Sequence, residues 1–160
     1  MSVFKKTQSA FDRRQALKAV GAGAIALAGS SLVPRNALAS PEAATAYLAK
    51  MTGGVTAKAG RIKLKLPEIA ENGATVPITI SVESPMTASD YVKSIHVVAE
   101  KNPNPEVVSF NMSPETGKAQ ISTRIRLAKT QKVRAVAVMS DGSVYGSSKQ
   151  VKVTIGGCGG

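Results

Sequence analysis

Arg61-Ile62-Lys63-Leu64-Lys65-Leu66 alternates basic and aliphatic residues without a break. Successive side chains of an extended chain point to opposite faces, so Ile62, Leu64 and Leu66 share one face and the cations the other. That is the period of a strand buried on one side and wet on the other. It recurs in Val76, Ile78, Ile80 and Val82, where Pro77 marks an edge strand or a strand start. It recurs again in Ile121, Thr123, Ile125 and Leu127, with Arg124 and Arg126 interleaved. Ile95 to Ala99 and Val107 to Phe110 are shorter runs, separated by Asn102-Pro103-Asn104-Pro105. Val133 to Met139 is apolar on both faces, which predicts a central strand. Asn72-Gly73 and Asp141-Gly142 are turn signals. The second leads into Ser143 to Ser147, and Val151, Val153 and Ile155 complete the last strand.

Seven or eight short strands separated by turn chemistry predict an all-β domain, an antiparallel β-sandwich with a barrel as the alternative. No long helices alternate with these strands, which argues against a parallel α/β sheet. One short helix precedes them. Pro41 to Met51 is Ala-rich, with Ser40 at the N-cap, Pro41 at the first helical position and Gly53-Gly54 as the stop.

Residues 1–39 read as an export signal. Lys5, Lys6, Arg13 and Arg14 form a basic start, and Asp12-Arg13-Arg14-Gln15-Ala16-Leu17-Lys18 resembles a twin-arginine motif, with Ala16 where phenylalanine is common. The uncharged stretch Ala19 to Pro34 follows, and Ala37-Leu38-Ala39 supplies a small-residue cleavage pattern. That stretch has about 16 residues, short of the roughly 20 that span a bilayer, so no membrane anchor is expected after cleavage. The mature chain is expected to begin at Ser40, with a β-sandwich over 40–155 and a flexible tail over 156–160.

The full chain has 21 basic and 10 acidic residues, a net charge of +11. The leader holds six of the cations and one of the anions, leaving 15 basic and nine acidic residues, or +6. Those cations are scattered and there is no tryptophan. Nucleic-acid binding would call for a clustered basic patch and stacking platforms, and is not expected. A mild attraction for small anions or acidic proteins is what the charge supports.

Cys158 is the only cysteine, set in Gly156-Gly157-Cys158-Gly159-Gly160. Its neighbours offer no side chain to pack against, so the thiol is expected outside the core on a thin, flexible stem. A lone cysteine in an exported chain is either paired with another molecule or a free thiol. With His96 the only histidine, the chain cannot build a Cys/His zinc site, and no metal or cofactor is expected. A nucleophilic enzyme would need its cysteine activated by a histidine, a cation or a helix N-terminus. Lys152 is six residues away on a strand, and the Gly160 carboxylate disfavours the thiolate. At a free thiol's pKa only about 3 % is thiolate at pH 7. A catalytic Cys158–His96 pair would require a fold-back that nothing predicts, so no catalytic residue is assigned.

Other candidates read as structure. Glu68 and Glu71, an imaginable acid/base pair, are expected to be surface carboxylates beside a turn, and Met51, Met86, Met112 and Met139 to be packing residues. Tyr91, Val92, Ile95 and the Asn102–Pro105 loop are candidates for a partner surface. The tail itself suits a covalent carrier: one attachment atom, a stem that enters narrow sites because it lacks Cβ atoms, and a high effective concentration at a docked partner.

The stretch Val151-Lys152-Val153-Thr154-Ile155-Gly156-Gly157-Cys158-Gly159-Gly160, behind a twin-arginine leader, resembles the carboxyl terminus of the SoxY family, sulfur carriers of the periplasmic thiosulfate-oxidising Sox system. Leu66-Pro67-Glu68-Ile69-Ala70-Glu71-Asn72-Gly73, Ser84-Pro85-Met86-Thr87 and Glu100-Lys101-Asn102-Pro103 support the likeness, which covers most of the mature chain. The resemblance implies an immunoglobulin-like sandwich in a heterodimer with SoxZ, a second such domain, located in the periplasm. It implies that a haem enzyme, SoxAX, conjugates thiosulfate to Cys158. A hydrolase, SoxB, then releases sulfate, and a dehydrogenase, SoxCD, oxidises the remaining sulfur where it is present. Two rival classes stay open: an interaction module whose Cys158 forms an interchain disulfide, and a self-sufficient thiol enzyme.

Overall fold

The computed structural model describes residues 40–156. Arg13 and Arg14 of the leader, and Gly157, Cys158, Gly159 and Gly160 of the tail, lie outside the described residues. Helix α1 spans Pro41–Met51. The strands are β1 (Ile62–Lys65), β2 (Ile69–Asn72), β3 (Val76–Val82), β4 (Val92–Ala99), β5 (Glu106–Asn111), β6 (Gln120–Ile125), β7 (Gln131–Met139) and β8 (Val144–Ile155). They form two separate sheets, ordered β1-β3-β6 and β2-β8-β7-β4-β5, so the chain is a sandwich and not a barrel.

The alternating pattern accounts for the core. Val76, Ile78, Ile80 and Val82 of β3 are all buried, facing Ile95, Val97, Val133, Ala135, Ala137 and Val151 of the larger sheet. Burying a side chain of this size contributes about 1.5–3 kcal/mol. The double-sided apolarity of β7 has two causes. Val133, Ala135, Ala137 and Met139 face the sandwich interior, while Val136 lies on the outer face under α1. There Ala44 and Leu48, a helical turn apart, close over Val98, Val136 and Val144. Polar contacts flank the seam: Arg134 Nη1 donates to Thr45 Oγ1 at 2.9 Å, and Tyr47 and Ser109 share a hydroxyl hydrogen bond at 3.3 Å.

Helix α1 begins and ends as its sequence predicts. Ser40 Oγ accepts from the Ala43 N–H at 3.1 Å, and Pro41 opens the first turn, where no N–H is needed. The chain leaves through Gly53 and Gly54 at φ 63° and 81°, left-handed positions that only glycine occupies without cost.

Two features differ from the expectation. Ile69–Asn72 forms a strand, β2, and it runs parallel to β8, whereas the other pairs are antiparallel. The two runs expected over Ser143–Ser147 and Val151–Ile155 merge into one continuous strand of 12 residues, Val144–Ile155. Pro77 stands at a strand start, as expected, the second residue of the middle strand of the smaller sheet, and not at an edge. It is tolerated because β1 ends opposite Thr79, so the missing N–H deprives no β1 carbonyl of a partner.

Candidate functional site

The site is built on the last four residues of β8. Pairing with β7 ends at Val151 opposite Gln131, so Lys152–Ile155 depend on other partners. β2 supplies one side: the Lys152 N–H donates to the Glu68 carbonyl at 2.8 Å, and the Gly73 N–H to the Ile155 carbonyl at 2.8 Å. Thr130 supplies the other. Its Oγ1 accepts from the Val153 N–H at 2.9 Å and donates to the Val153 carbonyl at 3.4 Å. The strand is therefore held on the Thr130 flank as far as Val153 and on the β2 flank to its last residue, and Ile155 is 67 % exposed where it leaves the domain.

Gly156 has a steric role that the sequence reading did not assign. A Cβ there would collide with the Ala128 carbonyl oxygen. Its φ lies outside the left-handed region, so glycine is required for space and not for conformation. The loop carrying Ala128 is itself tied down. The Ala128 N–H donates to Asn102 Oδ1 at 3.0 Å, Asn102 Nδ2 donates to the Arg126 carbonyl at 2.8 Å, and Gln131 Nε2 donates to Asn102 Oδ1 at 2.7 Å. Gln131 is wholly buried, and its Oε1 accepts the Lys101 N–H at 2.7 Å. The Leu127 N–H donates to the Gly73 carbonyl at 2.7 Å. Together these contacts form a collar around the chain's exit. Asn102 falls in a loop singled out from sequence; Gln131 and Thr130 carried no signal, because their partners are remote in the chain.

Cys158 follows Gly156 by two residues, at most about 7 Å of extended backbone. His96 lies far from that exit. It pairs with Val136, which pairs with Gly146, nine residues before Ile155 and about 30 Å along the strand. His96 is a buried residue of β4 whose Nε2 meets Ser94 Oγ at 3.0 Å and whose Nδ1 meets Ser109 Oγ at 2.9 Å. Burial pushes its pKa below the ordinary value, opposed by the Glu106 carboxylate. Such an imidazole serves the outer face of the sheet.

Glu68 and Glu71 are exposed, Glu71 within β2 and Glu68 just before it. Met86 and Met139 are core residues, and Met112 packs against the core. Val92 and Ile95, candidates for a partner surface, are wholly buried, because β4 is covered on its inner face by the smaller sheet. Pro103 and Asn104 remain exposed at the collar end. Among the described residues no cluster of His, Cys, Asp and Glu is placed to hold a metal ion, and no helix is long and apolar enough to cross a membrane.

The model of the family described as "Sulfur oxidation protein SoxY" matches residues 48–158, so the matched span ends on Cys158. Among solved structures, the sulfur carrier protein SoxY from Chlorobium limicola f thiosulfatophilum is 33 % identical, with a TM-score of 0.60. The match covers 72 % of this chain and all of that one. A superoxide reductase (neelaredoxin) from Ignicoccus hospitalis is 16 % identical at a TM-score of 0.53, over 59 % of this chain and 80 % of that one. The putative superoxide reductase from Thermotoga maritima is 18 % identical at 0.50, over 57 % and 84 %. At such identities the reductases share the sandwich fold alone. No curated protein sequence matches significantly. The matched family span and the match to the Chlorobium structure together place this chain in the SoxY family.

Proposed function

We propose that this chain is a covalent sulfur carrier of the Sox system, holding its cargo on Cys158 and presenting it to partner enzymes. The observation that carries this reading is the collared exit of β8, which delivers the chain to the surface two residues before the sole thiol, within a family match that ends on that thiol. The chemistry also fits a carrier. Joining the Cys158 thiol to thiosulfate through a sulfur–sulfur bond releases one proton and two electrons, and SoxAX is the haem partner that accepts the electrons. Hydrolysis by SoxB then splits the outer sulfur–sulfur bond, releases sulfate and leaves a persulfide. SoxCD, where present, oxidises that remaining sulfur. The chain supplies only the attachment sulfur and the stem. The partner in the resting state is SoxZ, in a periplasmic heterodimer exported by the twin-arginine leader that Arg13 and Arg14 mark.

Intact-mass measurement tests the proposal. The mature chain with SoxZ and thiosulfate should stay unmodified, gain the thiosulfate adduct once SoxAX is added, and lose that gain in Cys158→Ser with thermal stability unchanged. Gly157→Val and Gly159→Val should slow loading while reaction with a small alkylating agent continues. Partner-free turnover would overturn the carrier in favour of a thiol enzyme. A constitutive interchain crosslink on non-reducing gels would overturn it in favour of a structural disulfide.

A further inference from the structure

An asparagine side chain reacts with its own backbone when the nitrogen of the next residue reaches its amide carbon, and glycine in that next position puts no Cβ in the way of the five-membered ring. From residue 40 onward the asparagines are Asn72, Asn102, Asn104 and Asn111. Asn102 and Asn104 precede Pro103 and Pro105, which have no N–H to give up. Asn111 precedes Met112, whose side chain crowds the ring. Asn72, followed by Gly73, is the residue whose neighbour allows fast cyclisation, and it is exposed.

The fold sets that pair at the last rung between β2 and β8, with Asn72 opposite Ile155. Hydrogen bonds hold it away from the reacting geometry. The Gly73 N–H, which must lose its proton for the nitrogen to attack, donates to the Ile155 carbonyl at 2.8 Å, and the Gly73 carbonyl accepts the Leu127 N–H at 2.7 Å. Asn72 Oδ1 accepts the Ala74 N–H at 2.8 Å, which ties the side-chain amide into a turn. An engaged N–H resists deprotonation, and a peptide pinned on both sides does not rotate toward the side chain. The lock is only as strong as the end of β8. Past Val151 that strand has left β7, and Ile155 is exposed, so this rung opens by local fraying without global unfolding.

We propose that Asn72-Gly73 is a self-modification site whose rate is set by opening of the end of β8. When the Ile155 carbonyl swings away, hydroxide removes the Gly73 amide proton and the nitrogen attacks the side-chain carbonyl carbon of Asn72. The amino group on that carbon leaves as ammonia, taking a proton from water. The cyclic imide then takes up one water molecule. Opening on the side-chain branch leaves an aspartate; opening on the main-chain branch leaves an isoaspartate, with one more carbon in the backbone before Gly73. No electrons are exchanged. The added carbon carries Gly73 out of register with the Ile155 carbonyl, so the rung does not re-form. The reaction is therefore an irreversible record of the time the root of the carboxyl-terminal segment has spent open. It does not depend on what Cys158 carries.

The test ages the full mature chain in mildly alkaline buffer and follows Asn72 by peptide mapping, which reads the mass gained when an amide becomes an acid and separates aspartate from isoaspartate. Hydrogen exchange at the Gly73 amide is measured on the same samples. The folded parent should convert at position 72 far more slowly than the chain unfolded in urea, and before Asn111. Gly156→Ala, which crowds the Ala128 carbonyl, and Thr130→Ala, which frees Val153, should each raise conversion about fivefold, in step with Gly73 exchange. Low urea, which frays strand ends whatever a variant does, supplies a further point on the same line. The purified isoaspartate form should have lost protection at Gly73. Equal rates in the folded and unfolded chain would overturn the proposal, as would conversion that stays constant while Gly73 exchange rises.

Discussion

Adding one methyl group at Gly156 brings a Cβ into the space of the Ala128 carbonyl oxygen. Two responses are open to the protein. Moving the carbonyl means disturbing the Asn102–Gln131 network that holds its loop, and forcing atoms into packed space costs about 1–3 kcal/mol. Letting the end of β8 lift away sacrifices the hydrogen bond from the Gly73 N–H to the Ile155 carbonyl, worth about 0.5–1.5 kcal/mol. The cheaper route governs, so Gly156→Ala should destabilise by about 1 kcal/mol. The usual benefit of replacing glycine, a stiffer unfolded chain, applies only where the native backbone accepts the side chain, which it does not here. For a domain of this size the loss corresponds to about 3–6 °C in Tm. Hydrogen exchange gives the sharper assay: the Gly73 amide should exchange about fivefold faster, while amides at the centre of β7 follow only the global change. An unchanged Tm together with unchanged protection at Gly73 would refute the collar, and Gly156 would then be merely the first link of a free stem.

Two other predictions concern the outer face of the larger sheet. Leu48→Ala should cost about 2–4 kcal/mol in denaturant unfolding, because Leu48 is buried against Val98, Val136 and Val144; a loss below about 1 kcal/mol would mean that α1 is not part of the cooperative unit. His96 is depressed by burial, so its contribution is present in full above its unfolded pKa of about 6.5 and is lost as pH falls through its lower folded value. Stability between pH 7.5 and 5 should therefore fall in the parent and fall less in His96→Gln, and equal slopes would show that His96 does not gate the acid response.

The elements with internal period were legible before any tertiary contact was known. Val76–Val82 and Ile62–Leu66 carry their burial pattern in their own alternation, and α1 carries its start and stop in Ser40, Pro41 and Gly53-Gly54, because these signals act between residues a few positions apart. For Cys158, Gly156-Gly157-Cys158-Gly159-Gly160 supports the expectation of a thiol outside the core, because it has nothing with which to build one. Tertiary structure decided the rest. Ile69–Asn72 buries only Ala70 and shows no alternation of its own; it becomes a strand because Lys152–Ile155, more than eighty residues later, have outrun β7 and need a partner. The two-faced apolarity of β7 left open what covered its second face, and the answer is a helix from the other end of the domain. Gly156 looks in sequence like its neighbouring glycines, yet only the approach of the Ala128 carbonyl marks it as a glycine needed for space. A local pattern specifies which way a side chain faces; what stands opposite is set by contacts between distant segments, and the collar is made of nothing else.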